Sequence, residues 1–236
     1  MSLITLKNVK KEYGKNGTLS FLFSYCAQWR DYGRKNQVLF ENLSLEIEKG
    51  EFVGLVGKSG AGKTTLLNII GLITDISEGT IIIDSHQNLS MNSKNAMILR
   101  RYTIGYLFQN YGLIEDESVL WNLKLALEYK KIKKEEKLKL INKYLKQFEL
   151  NDMLNKKVYQ LSGGEQQRIA IIKLILQGSQ VILADEPTSG LDKENELIVM
   201  KLLKELNEKG ITIIMVTHNM NLCDCFSRVI NVENFR

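Results

Sequence analysis

The segment that most constrains this chain is Gly57-Lys58-Ser59-Gly60-Ala61-Gly62-Lys63-Thr64-Thr65. Its spacing, a glycine, four residues, then Gly-Lys-Thr, is that of a phosphate loop. The apolar run 52–56 ahead of it is predicted to be a buried strand, and 65–70 behind it a helix. The glycines let consecutive backbone N–H groups turn inward around phosphate oxygens, which side chains there would block. The helix start adds partial positive charge and unpaired donors. Lys63 supplies a full charge for β- and γ-phosphates, and the Thr64 hydroxyl is placed to ligate Mg²⁺. A glycine-rich turn arising by chance would lack the flanking strand and helix. All nine residues from Gly57 to Thr65 are therefore candidates for holding a nucleoside triphosphate.

At 236 residues the chain can bury a full core as one large domain or two small ones. Its hydrophobic fraction of 44% and charged fraction of 25% are ordinary for a soluble protein. A net charge of +5 permits contact with phosphate or an acidic surface but does not demand nucleic acid, and none is expected as a partner. No apolar run approaches the roughly 18 residues needed to cross a bilayer. The first residues lack the layout of a secretion signal. Cys26, Cys223 and Cys225 are too few for a disulfide framework, and Cys223 and Cys225 are too close for a Cys-x-x-Cys pattern. Reduced thiols in a cytoplasmic protein are expected, with any membrane role arising through a partner.

Apolar alternation predicts strands at 3–9 and 38–47, with Tyr13 just past the first, and further strands at 80–84 and 103–108. Between Tyr13 and Gln37 lie Phe21, Phe23, Tyr25, Trp29 and Tyr32. That stretch is an extra hairpin, a partner-binding edge or an insertion packed on its own sheet, and the last is favoured. From Glu117 to about Leu150 the period becomes helical, with Lys130, Lys131, Lys133, Lys134, Lys137, Lys139 and Lys143 on a polar face. That face suits lipid headgroups or acidic protein, and equally a solvated surface. A helix at 165–176, a buried strand at 181–184, a helix at 194–208 stopped by Gly210, a buried strand at 212–216 and an edge strand at 229–232 complete the pattern. Alternating strands and helices predict an α/β core with a mainly parallel sheet, interrupted by a helical excursion over 111–159.

Asp185 and Glu186 end the apolar strand. A carboxylate at 185 can hold Mg²⁺ opposite Thr64, and Glu186 can orient or deprotonate an attacking water. Such a pair also caps helices elsewhere; beside a phosphate loop it points to phosphoryl chemistry. In Leu161-Ser162-Gly163-Gly164-Glu165, Ser162 and Glu165 have capping-box spacing. The two glycines leave amides bare at a positive helix end, a second anion cradle. Two cradles on one chain imply a nucleotide held between two subunits, although by itself the stretch is a well-capped helix.

With these stations in view the chain resembles the ATP-binding-cassette (ABC) ATPases. The phosphate loop, Gln109, Leu161-Ser162-Gly163-Gly164-Glu165, Asp185-Glu186, Ser189-Gly190-Leu191-Asp192 and Thr217-His218 fall in that family's order over nearly the whole length. The resemblance implies a P-loop NTPase of ABC type: a mainly parallel core sheet, an antiparallel β subdomain and an inserted helical subdomain. The expected division is about 1–110 plus 160–236 for the core with its β subdomain, and 111–159 for the helical one. It further implies a head-to-tail homodimer holding two ATP with Mg²⁺, each under Ser162, Gly163, Gly164 and Glu165 of the other copy. By position, Tyr13 matches the adenine-stacking aromatic, with Tyr25, Trp29 and Tyr32 as rivals. Gln109 matches the glutamine touching Mg²⁺ and water, and Asp185 the acidic Mg²⁺ residue. Glu186 matches the catalytic carboxylate, His218 the γ-phosphate switch and Asp192 the residue crossing the dimer interface. Separate transmembrane permease subunits are expected to carry the work across the membrane.

The runs 165–168 and 108–114 look most like the subgroup serving lipoprotein release and macrolide or bacteriocin export. A non-transport ABC switch, and a nucleotide-binding regulator without turnover, remain as alternatives. Lys58 stands where many members carry proline, 177–180 lacks a proline common before the strand, and the 13–37 segment is longer than usual. No regulatory extension is expected after the last strand. His86 matches nothing and is expected at the surface.

Overall fold

The computed structural model describes residues 2–13 and 37–235. The aromatic residues Phe21, Phe23, Tyr25, Trp29 and Tyr32, with Cys26, lie outside the described residues. Two sheets organise the rest. β1 (Ser2–Tyr13), β2 (Gln37–Glu48) and β4 (Glu78–Ile83) form an antiparallel sheet in the order β2-β1-β4. β3 (Phe52–Val56), β5 (Ile104–Leu107), β6 (Val181–Asp185), β7 (Thr212–Val216) and β8 (Arg228–Asn231) form a sheet in the order β5-β6-β7-β3-β8. Every neighbouring pair of that second sheet is parallel, and β8 is the edge strand expected from its sequence.

The central strands read as unbroken apolar runs because both their faces are covered. Val53, Leu55, Val181, Leu183, Ile214 and Val216 join one core cluster, shared with the antiparallel sheet and with α1 (Lys63–Ile70). Phe52, Ile182, Ala184, Ile213 and Met215 point the other way. There they meet α3 (Val119–Ala126), α4 (Lys134–Gln147), α5 (Gly163–Gln177) and α6 (Lys193–Glu208). The period-2 alternation of a strand thus divides the chain's apolar residues between two layers. Because the strands are parallel, β3, β5, β6 and β7 all end on one edge, and 57–65, 109, 185–186 and 217–218 follow those ends.

The region 117–150 forms helices, as expected: α3 and α4, parted by a lysine-rich break at 127–133, with short 3-10 turns at Asn151–Met153 and Val158–Gln160. Two details differ from the sequence reading. A further helix, α2 (Lys94–Tyr102), forms where none was expected, capped by Ser93 and ending in Arg100 and Arg101. Tyr13 lies within β1, not past it. On the lysine-rich face, Lys131, Lys133, Lys134, Lys139 and Lys143 are exposed, while Lys130 and Lys137 are half-buried. His86 is half-buried, its ring nitrogen Nδ1 2.9 Å from the Asp84 carbonyl. Among the described residues no helix is long and apolar enough to cross a membrane.

Candidate nucleotide site

The loop between β3 and α1 is shaped by its glycines. Gly62 caps α1 at φ 98, a left-handed conformation that disfavours any side chain, and no side chain caps the helix. The first amides of α1 are thus left for an outside acceptor. Gly62 also lies under Leu39 and Phe40, where an added Cβ would come within 2.7 Å of the Phe40 ring. Gly57, at φ 143, is walled by Ala61 and by Asn231 and Glu233 from the end of the chain. Lys63 is only 5% exposed, and its Nζ donates to the carbonyls of Gly57 at 2.8 Å and Lys58 at 3.0 Å. The lysine therefore curls back across the loop it belongs to. Burial pushes its ammonium below the usual lysine range, against the opposing pull of Glu186, Asp185 and Glu233. Ser59, Gly60 and Lys58 are exposed, Ala61 is buried and Thr65 half-buried.

The acidic residues come to the same edge. The Thr64 hydroxyl donates to Asp185 Oδ1 at 3.1 Å, bringing together two hard oxygen donors from residues far apart in sequence. Burial raises the Asp185 carboxyl above its ordinary range, and Glu186 pushes it further, while Thr64, Lys63 and His218 draw it down. Glu186 follows in a left-handed conformation, φ 48, with its N–H on Val216 of β7. That turn swings its carboxylate away from the strand, and Oε1 meets His218 Nε2 at 2.8 Å. The sequence set Glu186 and His218 separate tasks; the structure puts them in direct contact. Gln109 lies exposed just beyond β5, whose Leu107 pairs with Ala184. It follows the same sheet edge as Asp185, and its side chain makes no hydrogen bond among the described residues.

The second cradle stands at the start of α5. Ser162 Oγ accepts from Glu165 N–H at 3.3 Å, and Glu165 Oε2 accepts from Ser162 N–H at 2.7 Å, completing the expected capping box. Ser162 is exposed, not turned into the chain's own interior. Gly163 and Gly164 are closely faced by side chains from other elements. A Cβ on Gly163 would sit 2.9 Å from the Tyr111 hydroxyl, and one on Gly164 would run into the Asn195 carboxamide. Asp192, expected at a dimer interface, caps α6 and accepts from Asn195 N–H and Nδ2, both at 2.8 Å. Those bonds hold its carboxyl below the usual carboxylate range.

Tyr13 lies beside the phosphate loop, its hydroxyl 3.3 Å from Thr65 Oγ1 and the Lys11 ammonium 4.8 Å from its ring centre. The latter distance is within the range of a cation–π contact between Lys11 and the ring. Several neighbours of the site escaped the sequence reading. Asn231 and Glu233 against Gly57, Phe40 over Gly62, and Asn195 with Arg168 beside Gly164 are all long-range contacts. Only the polar break Asn231-Val232-Glu233 after an apolar edge strand offered any signal.

The comparisons agree with this geometry. A family model described as ABC transporter matches residues 40–189. The macrolide export ATP-binding/permease protein MacB of Campylobacter jejuni is 38% identical over 98% of this chain, which spans only 33% of that protein. An uncharacterized ABC transporter ATP-binding protein of Methanocaldococcus jannaschii is also 38% identical, over 98% of this chain and 96% of the relative. A solved dimeric ATP-binding cassette, in a post-hydrolysis state bound to ADP and Pi, superposes with a TM-score of 0.82 at 36% identity, covering 97% of this chain and 93% of the other. With its cradle between β3 and α1, its acidic pair after β6 and its capped glycine helix, this chain belongs to the ABC transporter family and has the fold of that family's ATP-binding cassette.

Proposed function

We propose that this chain is the ATP-hydrolysing subunit of an ABC transporter, binding MgATP between two copies arranged head to tail and driving a separate membrane permease. The observation that carries the proposal is the convergence of Lys63, Thr64, Asp185, Glu186 and His218 at one sheet edge. In this arrangement Lys63 carries a buried positive charge and Asp185 a buried negative one, each disfavoured by its burial. A triphosphate laid on the loop relieves the first, and a divalent cation the second. The donor set fits Mg²⁺, which prefers a few hard oxygens and keeps the rest of its shell for phosphate and water. Thr64 and Asp185 would hold it, with Gln109 within reach from β5. When bound, Mg²⁺ neutralises charge on the β- and γ-phosphate oxygens.

The chain's own groups do the rest. Backbone N–H groups of 57–65 and the start of α1 cradle the phosphates, and Lys63 leaves the Gly57 and Lys58 carbonyls for them. Tyr13 offers its ring to adenine. The contact between Glu186 and His218 parks both side chains; on nucleotide binding His218 donates to the γ-phosphate, and Glu186 accepts a proton from the attacking water. Ser162, Gly163, Gly164 and Glu165 of the second copy, with its Asp192 nearby, close the pocket and stabilise the charge spreading over the γ-phosphoryl group. Gln109, next to the helical segment 111–159, would relay nucleotide occupancy to the permease. The subunit would then lie on the inner face of the membrane through that partner.

Likeness to proteins named for macrolide export supports the export direction, with a peptide, lipoprotein or antimicrobial as cargo. Phosphate release from MgATP tests the enzyme assignment. In the Glu186→Gln variant nucleotide binding is expected to survive while turnover drops by about 10²–10⁴-fold and an ATP-bound dimer accumulates. Undiminished turnover in that variant would remove Glu186 from the mechanism.

A further inference from the structure

Gln167, in the second turn of α5, is 0% exposed, and neither its Nε2 nor its Oε1 has a hydrogen-bond partner among the described residues. A buried carboxamide with both ends unmade is unusual, because burial strips its water without replacing it. The next residue shares the problem. Arg168 donates from Nη1 to Asn195 Oδ1 at 3.1 Å, yet its Nε is buried and unpartnered. Two adjacent under-bonded side chains mark this junction as satisfied in some other arrangement.

The geometry says where that arrangement lies. Side chains on a helix lean toward its N-terminus, over residues three and four positions earlier. For Gln167 those are Gly164 and Gly163, which have no side chains of their own. Their nearest neighbours are Asn195 for Gly164, and the Tyr111 hydroxyl and Leu191 for Gly163. Gln167 thus shares a face of α5 with Gly163 and Gly164, whose neighbours include Leu191 of the turn 188–191 and Asn195 at the start of α6. That turn is held by Ser189 N–H on Glu186 O at 3.0 Å and Leu191 N–H on Thr188 O at 3.3 Å, while Ser189 and Gly190 are exposed and nothing lies within 4 Å of a Cβ built on Gly190. A carboxamide offers both the acceptor and the donor that the peptide groups of such a turn need.

We infer that Gln167 is a positioning residue, whose carboxamide pairs with the backbone of turn 188–191 when two copies close on nucleotide, tying the Ser162–Gly164 cradle to Asp192. The inference rests on the dimer reading above. In the separate chain the amide stays unpaired, so opening and closing exchange an unsatisfied buried group for a bonded one. Gln167 thereby biases the equilibrium toward the closed dimer without touching nucleotide.

The test compares Gln167→Met, similar in length but apolar, with Gln167→Asn, one methylene shorter but still an amide. Both are placed in the wild type and in Glu186→Gln. For Gln167→Met, the nucleotide-free Tm is expected to rise by about 2–4 °C, since an unsatisfied group is removed. In Glu186→Gln, Gln167→Met should raise the ATP concentration for half-maximal dimerisation about tenfold or more, with Gln167→Asn between. Wild-type turnover falls while ATP affinity of the dilute single chain is unchanged. Unaltered dimerisation in Gln167→Met, whatever its Tm, would reduce Gln167 to packing and overturn the inference. Failure of Glu186→Gln alone to dimerise on ATP would instead overturn the dimer reading, and this inference with it.

Discussion

Two helix starts in this molecule carry glycines, and they are finished differently. α1 opens from Gly62 with no side-chain cap, so its amides are left for a ligand, and Lys63, Asp185, Glu186 and His218 crowd around it. α5 opens from Ser162 with both arms of a capping box closed, and among the described residues no lysine or carboxylate pair is bonded to it. In the proposed function the first is the binding site, gathering strand ends and a buried charge, and the second is an exposed, capped helix end that adds donors to a phosphate held by the other copy. Affinity should therefore reside in the α1 end, and turnover should require both.

The largest effect separates the two ends outright. Lys63→Ala removes the buried ammonium, and nucleotide affinity, followed by equilibrium dialysis, should drop by about a hundredfold or more. Ser162→Asp is the counterpart. Aspartate caps a helix as well as serine, so the fold is kept, but a carboxylate now faces the γ-phosphate from the partner's side. Turnover should fall by about a hundredfold, while ATP binding to the dilute single chain stays unchanged. Equal losses of affinity in both variants would erase the distinction.

A smaller effect comes from Asp185. Burial raises its carboxyl above the unfolded value of 3.8, so the folded chain takes up this proton more readily than the unfolded one. The ionised group thus works against the nucleotide-free fold at neutral pH. Its penalty fades as pH falls through the raised value and is gone below 3.8. Asp185→Asn should therefore raise the nucleotide-free Tm at pH 7 and lose that advantage in acid. A lower Tm at pH 7 would mean that the Thr64 hydrogen bond outweighs burial. The smallest effect is Ser162→Ala, which removes one arm of the capping box and should cost about 1 kcal/mol in denaturant unfolding.

The contrast also explains what the sequence could and could not disclose. The phosphate loop, its strand and its helix are local, so 57–65 is legible without a partner element. The capping box at Ser162 and Glu165 is legible for the same reason. β5, β6 and β7 announce themselves as short apolar runs, but nothing in those runs says that their ends lie on one edge; the pairing of Leu107 with Ala184 does. α2 was missed because only Ala96 and Leu99 of its residues are buried, too few to carry a helical period. The break at 127–133 shows in the sequence only as a gap, since no leucine falls between Leu127 and Leu138. The Glu186–His218 contact and the Arg168–Asn195–Asp192 chain join residues from separate elements, and no spacing rule reaches across them.

The most direct measurement of the shared pocket mixes two dead proteins. Lys63→Ala has no working phosphate loop but an intact Ser162 cradle, and Ser162→Asp has the reverse. Alone, each should release almost no phosphate. If the pocket is built from two copies turned head to tail, an equimolar mixture forms heterodimers with one complete site, and turnover should return to about a quarter of wild type. A mixture as inactive as its components would mean that each chain completes its own site, and the account of a nucleotide held between copies would be wrong.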